Sequence, residues 1–75
     1  MGSLVCEAFG ENLRKLRKLK GYSQERLAHE AGIDRSYLGK IERGEVNVII
    51  EKIYLLAEYL QCAPGDLLVN ISDQR

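Results

Sequence analysis

Arg35, Ser36, Gly39 and Lys40 sit within six residues of one another, interleaved with the apolar Leu38 and Ile41. At helical spacing Leu38 and Ile41 face one way, so positions 35, 36, 39 and 40 face the other. The outward set can recognise but cannot break bonds. A guanidinium is a planar fork that pairs bidentately with O6 and N7 of guanine, which makes Arg35 the best reader of the four. The Ser36 hydroxyl donates or accepts and is weakly selective, and the Lys40 ammonium reaches guanine or a phosphate. Gly39 has no side chain and would let the helix sit close to whatever it docks on. Nothing elsewhere supplies catalysis. There is no Ser/His/Asp set, no phosphate-cradling glycine loop and no carboxylate pair with a reason to shift its pKa, so no enzyme is expected. His29, the one histidine, falls on the expected solvent side of its helix. Cys6 and Cys62 lie far apart and lack the clustered spacing of a zinc site, so neither a metal nor another cofactor is expected. Cys62 reads first as a small buried hydrophobe. A disulfide or redox pairing with Cys6 is the other reading.

Five helices and no strands must position these groups. A first helix over 7–20 carries Phe9, Leu13 and Leu16 on one face, ending at Lys20, with Gly21 after it. Ser23 caps a second over 24–31, whose inner face is Leu27, Ala28 and Ala31. Gly32 turns the chain, and Asp34 caps a third over 35–43. A fourth, over 49–61, shows an apolar stripe of Ile50, Ile53, Leu56, Ala57 and Leu60. Pro64 suits the first position of a short fifth helix through Asp66, Leu67 and Leu68. The loops are short, so the 75 residues form one compact all-α domain, 1–75. The middle pair has the parts of a helix-turn-helix: a small residue at the crossing (Ala28), a glycine at the turn (Gly32) and apolar anchors on both sides.

Charge bears on what such a pair could grip. Eleven basic and eleven acidic residues give no net charge. The balance is polarised, +3 over residues 1–43 and −3 over 44–75. Arg14, Lys15, Arg17, Lys18 and Lys20 crowd one run, which by default is a solvated helix face but could meet phosphates. No apolar stretch reaches the ~18 residues of a membrane span, and no signal-peptide h-region follows Met1. A cytoplasmic protein of bacterial type is expected.

Leu16-Arg17, Gly21-Tyr22-Ser23-Gln24, Leu27-Ala28, Gly32 and Ile41-Glu42-Arg43-Gly44 together resemble the recurrent phrases of the lambda-repressor-like (Cro/Xre-type) helix-turn-helix transcription regulators. The resemblance runs from about residue 9 to 68. Within that family, "DRSYLGKIERG" is most similar to the small controller proteins of restriction–modification systems.

The resemblance implies a five-helix DNA-binding fold and a homodimer on a palindromic double-stranded DNA operator, with the third helix in the major groove. It implies base contacts at Arg35, Ser36, Gly39 and Lys40, and phosphate contacts at Gln24, Arg43 and Asn47, with Arg14 and Lys15 as additions. Tyr37 either covers the edge of the core or touches a phosphate or thymine methyl. In the family the pair matching Arg17 and Glu42 is a partly buried ion pair, which makes Arg17 structural. RNA polymerase is a further expected partner of such a regulator. The sequence departs from the family where helix four would be capped, at Ile49, leaving Asn47 as the nearest cap. Helix five has Ala63 at its cap, and Gln61-Cys62 replaces a frequent Gly-Val. The third helix is committed to DNA, so a dimer must form at the other, acidic end. That end carries Tyr59, Leu67, Leu68, Val69 and Ile71, of which Leu68 and Val69 are the expected interface, with Tyr59 nearby and Leu67 in the core. An antitoxin or protein-interaction module of the same fold is the alternative function, and the zero net charge leans towards it.

Overall fold

The computed structural model describes residues 3–68, and among them there are five α-helices and no strand. They are α1 (Leu4–Leu19), α2 (Gln24–Ala31), α3 (Arg35–Glu42), α4 (Ile50–Leu60) and α5 (Pro64–Leu67). The first helix starts three residues before its expected place. Ser3 caps it, its hydroxyl accepting from the Cys6 N–H at 3.1 Å, a signal hidden in what reads as an ordinary chain start. The Ser23 and Asp34 caps form as expected, accepting from the Arg26 N–H at 3.0 Å and the Tyr37 N–H at 3.1 Å. Gly32 closes α2 with φ +69°, the left-handed conformation the turn needs.

The core draws on every helix. Phe9 and Leu13, Leu27, Ala28 and Ala31, Leu38 and Ile41, Leu56, Ala57 and Leu60, and Leu67 are buried, joined by Ile33 from the turn. Fully burying one such Leu or Ile contributes roughly 1.5–3 kcal/mol, and seven are sealed completely. Cys62 packs half-buried against this core, and burial pushes its thiol pKa up. Both cysteines are free thiols.

Backbone proximity fixes α1 against α3. A Cβ at Gly10 would collide with the Ile41 carbonyl oxygen and lie 2.6 Å from that of Glu42. Only glycine lets the two helices approach so closely.

Helix α4 departs most from expectation. Its N-cap, Ile49, makes no side-chain cap bond, and Asn47 does not substitute. The Asn47 side-chain oxygen Oδ1 instead accepts from the Cys6 thiol at 3.0 Å. Ile50, expected in the apolar stripe, is 70% exposed. It is the first residue of α4, and Ile53, Leu56, Ala57 and Leu60 carry the packing. Gln61, standing where glycine is frequent in the resembling family, takes φ +56°. Helix α5 lacks a side-chain acceptor at its cap, Ala63, but the Asp66 carboxylate accepts from the Ala63 N–H at 3.1 Å. Leu68 falls just after α5 and is exposed.

Candidate nucleic-acid interface

Leu38 and Ile41 are driven into the core, and that alone turns Arg35, Ser36 and Lys40 outward. Ala28, 2% exposed, sits at the tight packing of α2 on α3 and keeps the pair close. One depression is lined by Gln24, Arg35, Ser36, Gly39, Lys40 and Arg43. A second adjoins it through Gln24, Gly39 and Arg43, and Arg14 of α1 lines its far side. Four exposed cations, Arg14 of α1, Arg35 and Lys40 of α3 and Arg43 at its C-terminal cap, therefore share a face with the first residue of α2.

Gly39 differs from expectation. It lies on the expected face, lining both depressions, but is itself buried there, because the Arg43 guanidinium and the Gln24 amide fold over it. A Cβ there would lie 3.2 Å from Arg43 Nη1 and 3.6 Å from Gln24 Oε1. The missing side chain makes room for these two neighbours on the same face.

Other expected residues are not gathered here. Lys15 is exposed on α1 but lines neither depression. Asn47 lies in a different groove, with Val5, Cys6, Phe9, Val48, Ile53 and Leu68. Tyr37 is half-buried and packs against the core. His29 is exposed.

Behind the face lies a closed polar network. Arg17 Nε donates to Glu42 Oε2 at 2.6 Å and Arg17 Nη2 to Glu42 Oε1 at 3.1 Å, with side chains only 9% and 4% exposed. Arg17 Nη1 donates to the Tyr22 carbonyl at 2.9 Å, and Gln24 Nε2 donates to Glu42 Oε1 at 3.1 Å. Every buried side-chain polar atom among the described residues has a partner. One carboxylate thus ties together α1, the start of α2 and the end of α3.

Two acidic residues that the sequence did not single out temper the basic face. Glu45 accepts from Arg43 Nε at 2.7 Å and Nη2 at 3.3 Å, and this bonding holds the Glu45 carboxyl below its ordinary pKa. Glu25 approaches Arg35 loosely, at 4.0 Å, with both side chains exposed. The placement of Glu45, two residues beyond Arg43, was the available signal.

The expected dimer residues part company. Leu68, 54% exposed, rims the groove with Val5 and Ile53. Tyr59 is six residues beyond Ile53 on α4, about 120° round the helix. Val69 and Ile71 lie outside the described residues.

A short helix, a turn through a left-handed glycine and a second short helix anchored by its apolar face and polar on the other define a helix-turn-helix domain. Residues 13–67 match the family model described as Helix-turn-helix (HTH_3), and the chain belongs to that family. It is similar to the control protein C.SmaI of Serratia marcescens, 39% identical over 66 residues, which cover 88% of this chain and 79% of that protein. It is similar in structure to the restriction-modification controller protein C.AhdI of Aeromonas hydrophila. The TM-score is 0.80 at 49% identity, over 87% of this chain and 96% of the other. SinR of Bacillus subtilis, the master regulator for biofilm formation, has been solved in complex with DNA. Its structure aligns with a TM-score of 0.75 and 35% identity over 79% of this chain and 95% of its own. No helix among the described residues is long and apolar enough to cross a membrane, and no group of three or more His, Cys, Asp or Glu residues there could hold a metal.

Proposed function

We propose that this protein is a cytoplasmic, sequence-specific DNA-binding regulator of transcription that grips a palindromic operator as a homodimer, with α3 in the major groove. The observation that carries the reading is the single face on which Arg14, Gln24, Arg35, Ser36, Lys40 and Arg43 converge, backed by a core that leaves α3 no other use for its polar side. The face answers how a chain without net charge could bind a polyanion. Its own charge is the sum of four cations against two exposed carboxylates, and Glu25 and Glu45 can be displaced by phosphates because neither is buried. The DNA-bound structure of SinR and the controller function named for C.AhdI support the same reading.

Arg35 reads a guanine, Ser36 and Lys40 the neighbouring bases, and Arg14 and Arg43 the phosphates. Self-association through the end that bears Leu68 and Val69 sets two recognition helices about 34 Å apart, one helical turn of DNA. RNA polymerase is the natural further partner when the bound protein activates.

The test is fluorescence anisotropy with mixed-sequence and selected duplexes across a salt series. Affinity should fall steeply with salt, the logarithmic slope being roughly −0.9 for each phosphate neutralised, and a selected duplex should win by ~10³ or more. A flat salt response, or equal affinity for all duplexes, would overturn the reading.

A further inference from the structure

The backbone aims Glu45 at Arg43. Gly44, at φ +73°, turns the chain out of α3, and two bonds lock the turn. The Gly44 N–H donates to the Ile41 carbonyl at 3.0 Å and the Glu45 N–H to the Lys40 carbonyl at 2.9 Å. From that fixed point the Glu45 carboxylate takes the Nε and Nη2 edge of Arg43, at 2.7 and 3.3 Å. A guanidinium edge of this kind is what a phosphate pairs with bidentately, so the carboxylate holds a phosphate's place. What Arg43 has left is Nη1, folded over Gly39. Stability does not explain the arrangement. A carboxylate just past a helix C-terminus meets the negative end of the helix dipole, where Arg43 alone would be favoured. Both side chains are also exposed, and an exposed pair contributes little to folding.

Glu45 is thus a tethered counter-anion on the face that would meet a polyanion. A phosphate must displace it to reach Arg43, and the contest turns on how firmly that phosphate is held. Where Arg35, Ser36 and Lys40 engage matching bases, the duplex is fixed in one register and a phosphate stays beside Arg43 at high effective concentration. Where the bases do not match, the protein slides and no phosphate stays, while Glu45 remains two residues away. We propose that Glu45 is a specificity-determining residue: it keeps Arg43 from phosphates in loosely registered complexes and yields it only where the base contacts fix the duplex. Arg43 then adds its phosphate contact to matched complexes alone, which widens the gap between matched and unmatched DNA.

This inference rests on the DNA-binding reading above, and one experiment separates the two. The full chain, as wild type, Glu45→Gln, Glu45→Ala, Arg43→Ala and the double variant Arg43→Ala/Glu45→Gln, is titrated across a salt series. One duplex is selected by the wild type from a random pool, and the other is of mixed sequence. The logarithmic salt slope counts phosphates neutralised, because the released ions come from the DNA. Arg43→Ala should reduce the slope by about one per subunit on the selected duplex and leave it unchanged on the mixed one. Both Glu45 variants should do the reverse. They should steepen the mixed-sequence slope by about one per subunit, leave the selected one as it is, and lower the selected-to-mixed affinity ratio severalfold. Their melting temperatures should stay close to that of the wild type. The double variant should show no gain on mixed DNA, since the gain needs a released Arg43. Glu45 variants that shift both slopes equally, or neither, overturn the inference and leave the DNA-binding reading standing. So does a gain on mixed DNA that persists without Arg43, which would make Glu45 a repelling charge and nothing more. A wild-type chain that selects no sequence, or binds with a flat salt response, removes the DNA-binding reading and this inference with it.

Discussion

Replacing Glu42 with alanine should be among the most damaging single changes available to this protein. The substitution removes the acceptor for Arg17 Nε and Nη2 and for Gln24 Nε2, three hydrogen bonds at 2.6, 3.1 and 3.1 Å. It also strands a guanidinium whose side chain is 9% exposed, with only the Tyr22 carbonyl left as a partner. Breaking a buried ion pair from one side costs about 3–5 kcal/mol, because the surviving charge stays buried without compensation. A 75-residue domain has a total stability of about 4–11 kcal/mol, so the loss is roughly a quarter of it or more. At roughly 4–8 °C per kcal/mol for a domain of this size, the melting temperature should fall by at least ~12 °C. Circular dichroism in thermal and urea scans is the assay, with Arg14→Ala as the control. Arg14 is exposed and lacks an ion-pair partner among the described residues, so its loss should change stability by no more than about 0.5 kcal/mol. A double change, Arg17→Met with Glu42→Met, should recover most of the stability, since an apolar pair has no charge to strand. Equal melting temperatures for Glu42→Ala and Arg14→Ala would refute this reasoning, as would a double variant no better than Glu42→Ala.

Arg35→Ala should cost about 1–3 kcal/mol of binding per half-site and relax preference at one guanine, which selection from random duplexes would reveal. Gln61→Gly should raise stability by about 0.5–1 kcal/mol in urea denaturation, because it relieves the left-handed backbone at φ +56°. Gly10→Ala should destabilise by several kcal/mol, as α1 and α3 must part, whereas Gly65→Ala, whose Cβ would meet nothing within 4 Å, should be close to neutral. Bonding to Arg26 and then to Tyr22 holds the Glu30 carboxyl below its ordinary pKa, so its contribution is present above the unfolded value and lost as pH falls through the folded one. Glu30→Gln should therefore flatten the acid side of a plot of melting temperature against pH, by a small, salt-screened amount. Leu68→Glu should lower the sedimentation coefficient at micromolar concentration if the groove shared by Val5, Ile53 and Leu68 is where two copies meet, and a folded variant that still sediments as a dimer moves the interface elsewhere.

The middle of the chain was legible because its signals are local. Ser23, Asp34 and Gly32 act on backbone within a few residues of themselves, and the predicted bounds of α2 hold to the residue. The outward set on α3 follows from the inward Leu38 and Ile41 by helical period alone. What failed depended on neighbours distant in sequence. Ile50 has the right period for the core stripe, but period does not say whether another helix lies opposite it. Asn47 has a capping side chain, yet Cys6, 41 positions away in the chain, takes its oxygen. Gly39 reads as clearance for a ligand, and no local rule says that Arg43 and Gln24 also fold across it. The bond from Gln24 to Glu42 joins residues 18 apart, and no local rule relates an amide at one helix start to a carboxylate at another helix end.

Helix α3 is wired on one side only. Leu38 and Ile41 belong to the core, and Glu42 to the polar network, while Arg35, Ser36 and Lys40 carry no packing, and only the loose contact of Arg35 with Glu25 engages any of them. The helix is therefore like a socketed key whose shank and teeth were cut independently. Its outer three positions can be rewritten, singly or together, without disturbing the register of what holds it, so a lineage could drift from one recognition target to another through folded intermediates at every step. Positions 38, 39, 41 and 42 lack that freedom, which confines such drift to under half of an eight-residue helix.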